Sequence, residues 1–321
     1  AAADALVARW PESKRDIGLS RVFRVNTEAL NEIAGEFLWE SGGKWALFRA
    51  GLSLGESGLV AQARDHFARL RADALRKLGA DHPYTLAVRF ELALCVGRAG
   101  DPAGAITALE ELLADRARVL GPDHPDTLVT RVSLAKRRGQ AGDAAGAIAE
   151  FEALLADWTR VLGPDHPHTM ITRHELAHWC GSAGDPAGAV AAFEELLADR
   201  ARVLGPDHSD TLITRSDLAR WRGLAGNPAS AVSSLEELVA DWVRVAGPDH
   251  PHTLFTRHEL AHWRGRAGDP VGAVGAFEEL LGDRARVLGP EHPDTVVTRG
   301  GLAFWQNRLR GRAEPPSAGS R

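Results

Sequence analysis

With 321 residues, 44% of them hydrophobic and 25% charged, a net charge of -5 and two cysteines, the chain has ordinary globular chemistry. No apolar run approaches the roughly 18 residues of a membrane span, and the acidic balance lacks the basic footprint of a nucleic-acid binder. Cys95 and Cys180 lie too far apart in any extended array for a disulfide; they read as free thiols in a reducing cytoplasm.

Residues 1–42 contain Trp10-Pro-Glu, Arg24-Val-Asn-Thr-Glu-Ala-Leu30 and Leu38-Trp, and read as a helical bridge or cap. The opening Ala1-Ala-Ala-Asp-Ala has no initiator Met, which fits a piece of a longer protein. From residue 43 to about 78 runs a degenerate helical unit, and beyond it the chain repeats every 42 residues. Gly-Pro-Asp-His-Pro-x-Thr recurs with little change at Gly121, Gly163, Gly205, Gly247 and Gly289, after a weaker copy at Gly79. A fixed period of this size marks a stacked array.

The unit beginning near Asp126 shows what one copy contains. Pro125 suits a first helical turn, and Asp126 and Thr127 can satisfy its free N–H groups. The helix stops at Gly139-Gln-Ala-Gly142-Asp143, where Asp143 can cap a second helix. In that helix Ala147, Ile148, Phe151, Leu154, Leu155 and Val161 recur at three- and four-residue spacing as far as Gly163-Pro164. Each unit is therefore a helical hairpin, with Ala135, Ala177, Ala219, Ala261 and Ala303 allowing close helix approach. Thr295–Arg310 reads as a lone terminal capping helix, and residues 311–321 as a flexible tail.

Leu134-Ala135, the Gly-x-x-Gly-Asp turn, Ala192-Phe193-Glu-Glu-Leu-Leu197 and the linker Leu120-Gly-Pro-Asp-His-Pro-Asp-Thr-Leu128 together resemble tetratricopeptide repeats of the long, kinesin-light-chain-like subtype. The resemblance runs from 43 to 310 and implies an all-α fold, an α-solenoid forming a right-handed superhelix of about six hairpins. The bridge, together with Leu47–Leu59, resembles the segment before such repeats in actinobacterial NLR-like proteins. There an NB-ARC-type nucleotide-binding switch, a STAND NTPase, precedes a partner-sensing array. No Gly-x-x-x-x-Gly-Lys-Ser/Thr loop occurs in this chain. The resemblance thus implies the sensor part: a non-catalytic protein-interaction scaffold without cofactors. A freestanding adaptor is the alternative.

In that family the first helices line a concave groove. The residues after each Leu-Ala pair read Leu94, Lys136, His178, Arg220, His262 and Phe304, and those two before the Leu read Phe90, Val132, His174, Ser216, His258 and Gly300. Arg98, Arg266 and Arg308 extend a positive lining. The candidate partner-binding residues are therefore Phe90, Lys136, His174, His178, Arg220, His258, His262 and Phe304, and the expected ligand is an acidic protein or peptide. Four histidines in the stripe predict tighter binding at mildly acidic pH.

His174-Glu-Leu-Ala-His178 and His258-Glu-Leu-Ala-His262 match the H-E-x-x-H pattern, in which paired imidazoles hold zinc and the Glu activates water. Because Leu-Ala is the repeat's own packing pair, a zinc-dependent hydrolase is the lesser alternative, and no metal site is assigned. Linker histidines from His82 to His292 are expected in turns. The arginines from Arg89 to Arg299 are expected to pair with Asp115, Asp157, Asp199, Asp241 and Asp283. Trp179, Trp221, Trp263 and Trp305 stand where another copy has Arg137, and Trp158 and Trp242 alternate with Arg116, Arg200 and Arg284. The exchange with Arg predicts partly exposed rim packing for these indoles.

Overall fold

The computed structural model describes residues 5, 8–10, 17–40 and 43–313. Pro11 and Glu12 of the bridge, and residues 314–321 of the expected tail, lie outside them. The helices are α1 Ile17–Glu40, α2 Lys44–Glu56, α3 Val60–Leu78, α4 Pro83–Arg98, α5 Pro102–Val119, α6 Pro125–Gln140, α7 Ala144–Leu162, α8 Pro167–Ser182, α9 Pro186–Val203, α10 Ser209–Leu224, α11 Pro228–Ala246, α12 Pro251–Arg266, α13 Pro270–Val287 and α14 Pro293–Ala313. No strand occurs among the described residues, and no helix of theirs is long and apolar enough to cross a membrane. Cys95 and Cys180 are both free thiols.

Sequential helices pack as hairpins, giving an α-solenoid that divides into two compact units, Ala1–Asp157 and Trp158–Arg321. In the second unit the even-numbered first helices also touch one another directly, α10 with α12 and α12 with α14. They form the inner row of the stack.

Each letter of the 42-residue motif has a structural task. The glycine sits at positive φ, +96° at Gly121 and +94° at Gly247, where a side chain would be strained. The Asp closes the hairpin onto the end of its second helix: Arg202 meets Asp165 at 2.7 Å and Arg286 meets Asp249 at 2.6 Å. The His is the helix N-cap, its Nδ1 accepting the N–H two residues on, as from His124 to Asp126 at 3.1 Å. The Pro is the first helical residue, and the Thr hydroxyl donates back to the glycine carbonyl, 2.8 Å from Thr211 to Gly205. The cap falls to histidine rather than to Asp126 and Thr127. Asp143 caps its helix as its position predicts, accepting from Gly146 N–H at 2.9 Å.

The variable x of the motif is coupled to the second helix before it. Arg200 is buried and donates to the Asp210 carbonyl at 3.0 Å, to Thr214 Oγ1 at 2.6 Å and to the Met170 carbonyl at 3.4 Å, tying three helices together. Arg116 and Arg284 repeat this geometry with Asp126 and Asp294 at x. Burial lowers each guanidinium pKa and the neighbouring Asp opposes the shift. In the intervening copies Trp158 stacks on His168 at 4.7 Å and Trp242 on His252 at 4.8 Å. Arg with Asp thus alternates with Trp with His from one copy to the next.

Both tryptophan sets correct the expectation of partial exposure. Trp158 and Trp242 are buried, and so are Trp179, Trp221, Trp263 and Trp305. Trp221 lies against Gly181, Trp263 against Gly223 and Trp305 against Gly265, so each indole of one first helix covers a glycine of the preceding one. Arg137 fills the same slot over Gly97. A planar guanidinium on an apolar stem takes the place of the indole there, with Arg137 half-buried.

Candidate functional site

The inner face of the second unit is built from α8, α10, α12 and α14. Residues at i, i+4 and i+7 of one helix share a face, so three columns cross these helices. Ile171, Ile213, Phe255 and Val297 form an apolar column, with Ile171 40%, Phe255 49% and Val297 58% exposed. Glu175, Asp217 and Glu259 form an acidic column that ends at Gly301. His178, Arg220, His262 and Phe304 form the third, in which Arg220 and Phe304 are exposed and the histidines half-buried. The apolar and acidic columns escaped the sequence reading. The stripe that reads as basic is in fact bordered by carboxylates.

The candidate residues fall into different surroundings. His178 packs edge-on against Trp179 and Trp221, and His262 against Trp263 and Trp305, so each imidazole covers the indole–glycine seam. His174 turns toward its own second helix, its ring 5.0 Å from Phe193 and its Nε2 3.2 Å from Asp217. His258 does the same against Phe277 at 5.1 Å. Of the two candidates in the first unit, Lys136 is exposed on α6. Phe90 is packed against Ala93, Leu109 and Leu134 with the Arg116 guanidinium 5.1 Å above its ring, which makes it a wall of the hairpin.

Aromatic packing thus accounts for both histidines of each H-E-x-x-H segment. Among the described residues no three His, Cys, Asp or Glu side chains come together to hold a metal ion.

Burial lowers the pKa of His178 and His262, and it lowers that of His258 to about 4, with Arg284 and His262 adding to the shift. At all three positions burial favours the neutral imidazole. This burial opposes the charging on which the expected gain in anion binding at mildly acidic pH depends. For stability the sign is definite. The unfolded chain takes up the His258 proton near its ordinary pKa of about 6.5 and the folded chain only near 4, so stability is full above pH 6.5 and falls as pH drops through that window. Thermal melts should show a smaller loss between pH 6.5 and 4 in His258→Phe than in the native chain. Equal losses would contradict the burial of this imidazole.

Burial likewise raises the Glu259 carboxyl pKa, with Arg220 opposing it. The ladder arginines are neutralised outside this face: Arg173 pairs with Asp199 at 2.7 Å, Arg215 with Asp241 at 2.6 Å and Arg257 with Asp283 at 2.7 Å, each within one hairpin as expected.

Comparison with known proteins agrees with this geometry. The tetratricopeptide repeat pattern matches residues 45–117, 138–202 and 182–242, and a second tetratricopeptide repeat pattern matches residues 253–294. The nearly identical TPR-like repeats of a kinesin-light-chain-type protein from Podosopora anserina are 29% identical, covering 64% of this chain and 97% of that one with a TM-score of 0.53. BtubC from P. vanneervenii, 18% identical, covers 73% of this chain and 91% of its own with a TM-score of 0.52. A Rap protein complexed with competence and sporulation factor, 13% identical, covers 84% and 74% with a TM-score of 0.61; at such identities these last two share the fold alone. No curated protein matches the chain. With repeat patterns covering more than half of its length and hairpins stacked in a matching order, the chain belongs to the tetratricopeptide repeat family.

Proposed function

We propose that the chain is a non-catalytic scaffold that holds a protein or peptide segment along the inner face of its first helices. Tetratricopeptide repeat proteins serve as protein-interaction scaffolds, and the Rap protein that shares this fold was solved with competence and sporulation factor. The observation that carries the reading is the exposed apolar column, Ile171, Phe255 and Val297, beside charged columns on the first helices. Side chains of this kind gain roughly 25 cal/mol per Å² of apolar surface when a partner covers them. Arg220 and the acidic column would set the register of the bound segment. The expected acidic ligand is kept in a narrower form, since burial opposes the charging of His178, His258 and His262.

Peptides selected from a random display library on the intact chain should lose at least about tenfold in affinity on Phe255→Asp, the loss of one buried anchor. They should keep their affinity on Glu237→Lys, an exposed change on the second-helix side. Selected peptides indifferent to Phe255→Asp would contradict the groove reading.

Within this role we further propose that the array is the sensing part of an NLR-like switch, on the strength of the bridge sequence from Trp10 to Leu59. In the structure α1 packs on α2, and Arg24 donates to Ser53 Oγ at 2.8 Å. A nucleotide-binding module encoded directly upstream would support this role. An immediate start codon would leave the freestanding adaptor.

A further inference from the structure

Among the described residues α14 is a first helix with no second helix packed after it. The five first helices α4, α6, α8, α10 and α12 end where a glycine at positive φ and a capping Asp or Asn turn the chain back, as at Gly226 with Asn227 and Gly268 with Asp269. At those places α14 carries Arg310 and Gly311 and runs on to Ala313, 21 residues against 16 for α12. The side of α14 that faces the preceding hairpin is fully engaged. Thr295, Thr298 and Trp305 are buried there, and Gly301 lies against Phe277 of α13.

In the complete hairpins the second helix covers two positions of the first. Leu212 and Ala219 of α10 are buried with Ala231, Leu235 and Leu238 of α11, and Met170 and Ala177 of α8 with Ala189, Phe193 and Leu196 of α9. The equivalent residues of α14 are Val296, 45% exposed, and Ala303, also exposed. Between them Gly300 stands where His174 and His258 pack on the phenylalanine of their own second helix, and a Cβ there would meet nothing within 4 Å. A charge is left over as well. Arg89, Arg131, Arg173, Arg215 and Arg257 each pair with an Asp of their second helix at 2.6 to 2.7 Å. Arg299, next in that ladder, has no carboxylate partner among the described residues and donates to the Pro290 carbonyl at 3.1 Å.

We infer that the uncovered side of α14 docks an amphipathic helix of a partner protein, its apolar stripe on Val296, Gly300 and Ala303 and an Asp on Arg299. Residues 296, 299, 300 and 303 lie on one face of α14 at spacings of three and four, the arrangement that meets a second helix in each complete hairpin. The partner helix therefore carries the pattern of the chain's own second helices, Ala-x-x-x-Phe/Leu-x-x-Leu-x-x-Asp, as in Ala189, Phe193, Leu196 and Asp199 or Ala231, Leu235, Leu238 and Asp241. It runs antiparallel to α14, as a second helix does to its first. Residues 314–321 do not carry this pattern. The site lies off the columns of the inner face and is independent of the groove reading.

The test is fluorescence anisotropy on the full chain with a labelled peptide of residues 270–287, the α13 segment, as the second-helix probe. A side-chain staple on its solvent side keeps the probe helical, since an isolated helix of 18 residues is marginal in water. A control peptide carries Asp283→Asn. The Asp peptide should bind about fivefold tighter than the control, the upper range for a partly exposed ion pair, and Arg299→Gln in the chain should remove that difference. Ala303→Glu and, separately, Val296→Asp set a charge against the apolar stripe and should weaken both peptides at least about tenfold. Both positions are exposed, so the thermal melt should hold. Phe255→Asp should leave binding unchanged. Absence of binding overturns the inference, as do equal affinities of the two peptides for the native chain and binding that survives both Ala303→Glu and Val296→Asp. Loss of binding on Phe255→Asp overturns it too, because the probe would then lie in the groove. Self-association of the chain in light scattering that Ala303→Glu abolishes also overturns it, because a second copy would then cover this face.

Discussion

Arg200→Ala is expected to destabilise the second unit by about 3 to 5 kcal/mol, the range for emptying a well-packed buried site and stranding hydrogen-bond acceptors. The side chain joins α9 to the start of α10 and to the Met170 carbonyl of α8, so its loss removes a donor from Thr214 Oγ1 and from the Asp210 and Met170 carbonyls. In an array each hairpin contacts only its neighbours, and the damage should stay local. Amide hydrogen exchange should accelerate in α8 to α10 and remain slow in α13. The alternation of Arg with Trp predicts a specific rescue. Arg200→Trp alone should destabilise, because Asp210 offers no ring to stack on. Arg200→Trp together with Asp210→His rebuilds the Trp242–His252 arrangement and should recover most of the stability. A double-mutant cycle should give a coupling of about 1 to 3 kcal/mol. Strict additivity would show that the two-period alternation has no energetic basis.

Gly223→Ala should cost stability although alanine is the better helix former by about 1 kcal/mol. A Cβ at this position would lie 2.5 Å from the Trp263 ring, far inside contact distance. The indole is buried between two helices and has no space to withdraw, so overpacking of about 1 to 3 kcal/mol outweighs the helical gain. The same change at Gly275, whose Cβ would meet nothing within 4 Å, should be neutral or stabilising. Trp263→Arg should restore tolerance of Gly223→Ala, because in the earlier copy the ring atoms are replaced by a flexible Arg137 chain over Gly97, about 3.2 Å from the position of a Cβ. Urea denaturation of the four variants measures the whole set. An unpenalised Gly223→Ala would mean that the indole–glycine seam does not fix helix spacing.

The repeat made the hairpins readable because each structural need returns at one position. The Arg–Asp ladder was legible for that reason: Arg173 with Asp199 and Arg257 with Asp283 keep one separation. Where one need is met by unlike residues the same logic misled. An arginine in a tryptophan slot read as exposure, whereas Arg137 and Trp221 both cover a glycine of the preceding first helix. Histidine escaped notice as a cap because Ser, Thr, Asp and Asn dominate that position, although a neutral imidazole has the acceptor a cap requires.

The candidate face was half legible. Arg220, His178, His262 and Phe304 stand in one column as their spacing predicts, but the neighbouring Ile171, Phe255 and Val297 are not singled out by the sequence. On an amphipathic helix an apolar residue is ordinarily the buried one, and only the packed structure shows that these helices have a second, uncovered apolar strip. Histidine protonation was equally invisible, since it depends on how deeply Phe277 and the seam indoles bury each ring.

Binding along the inner face of the first helices is tested most directly by amide hydrogen exchange of the intact chain, with and without a peptide selected on it. Protection should increase in α8, α10, α12 and α14, greatest in the two last, and stay unchanged in α9, α11 and α13. Protection confined to the second helices or to the linkers would contradict it.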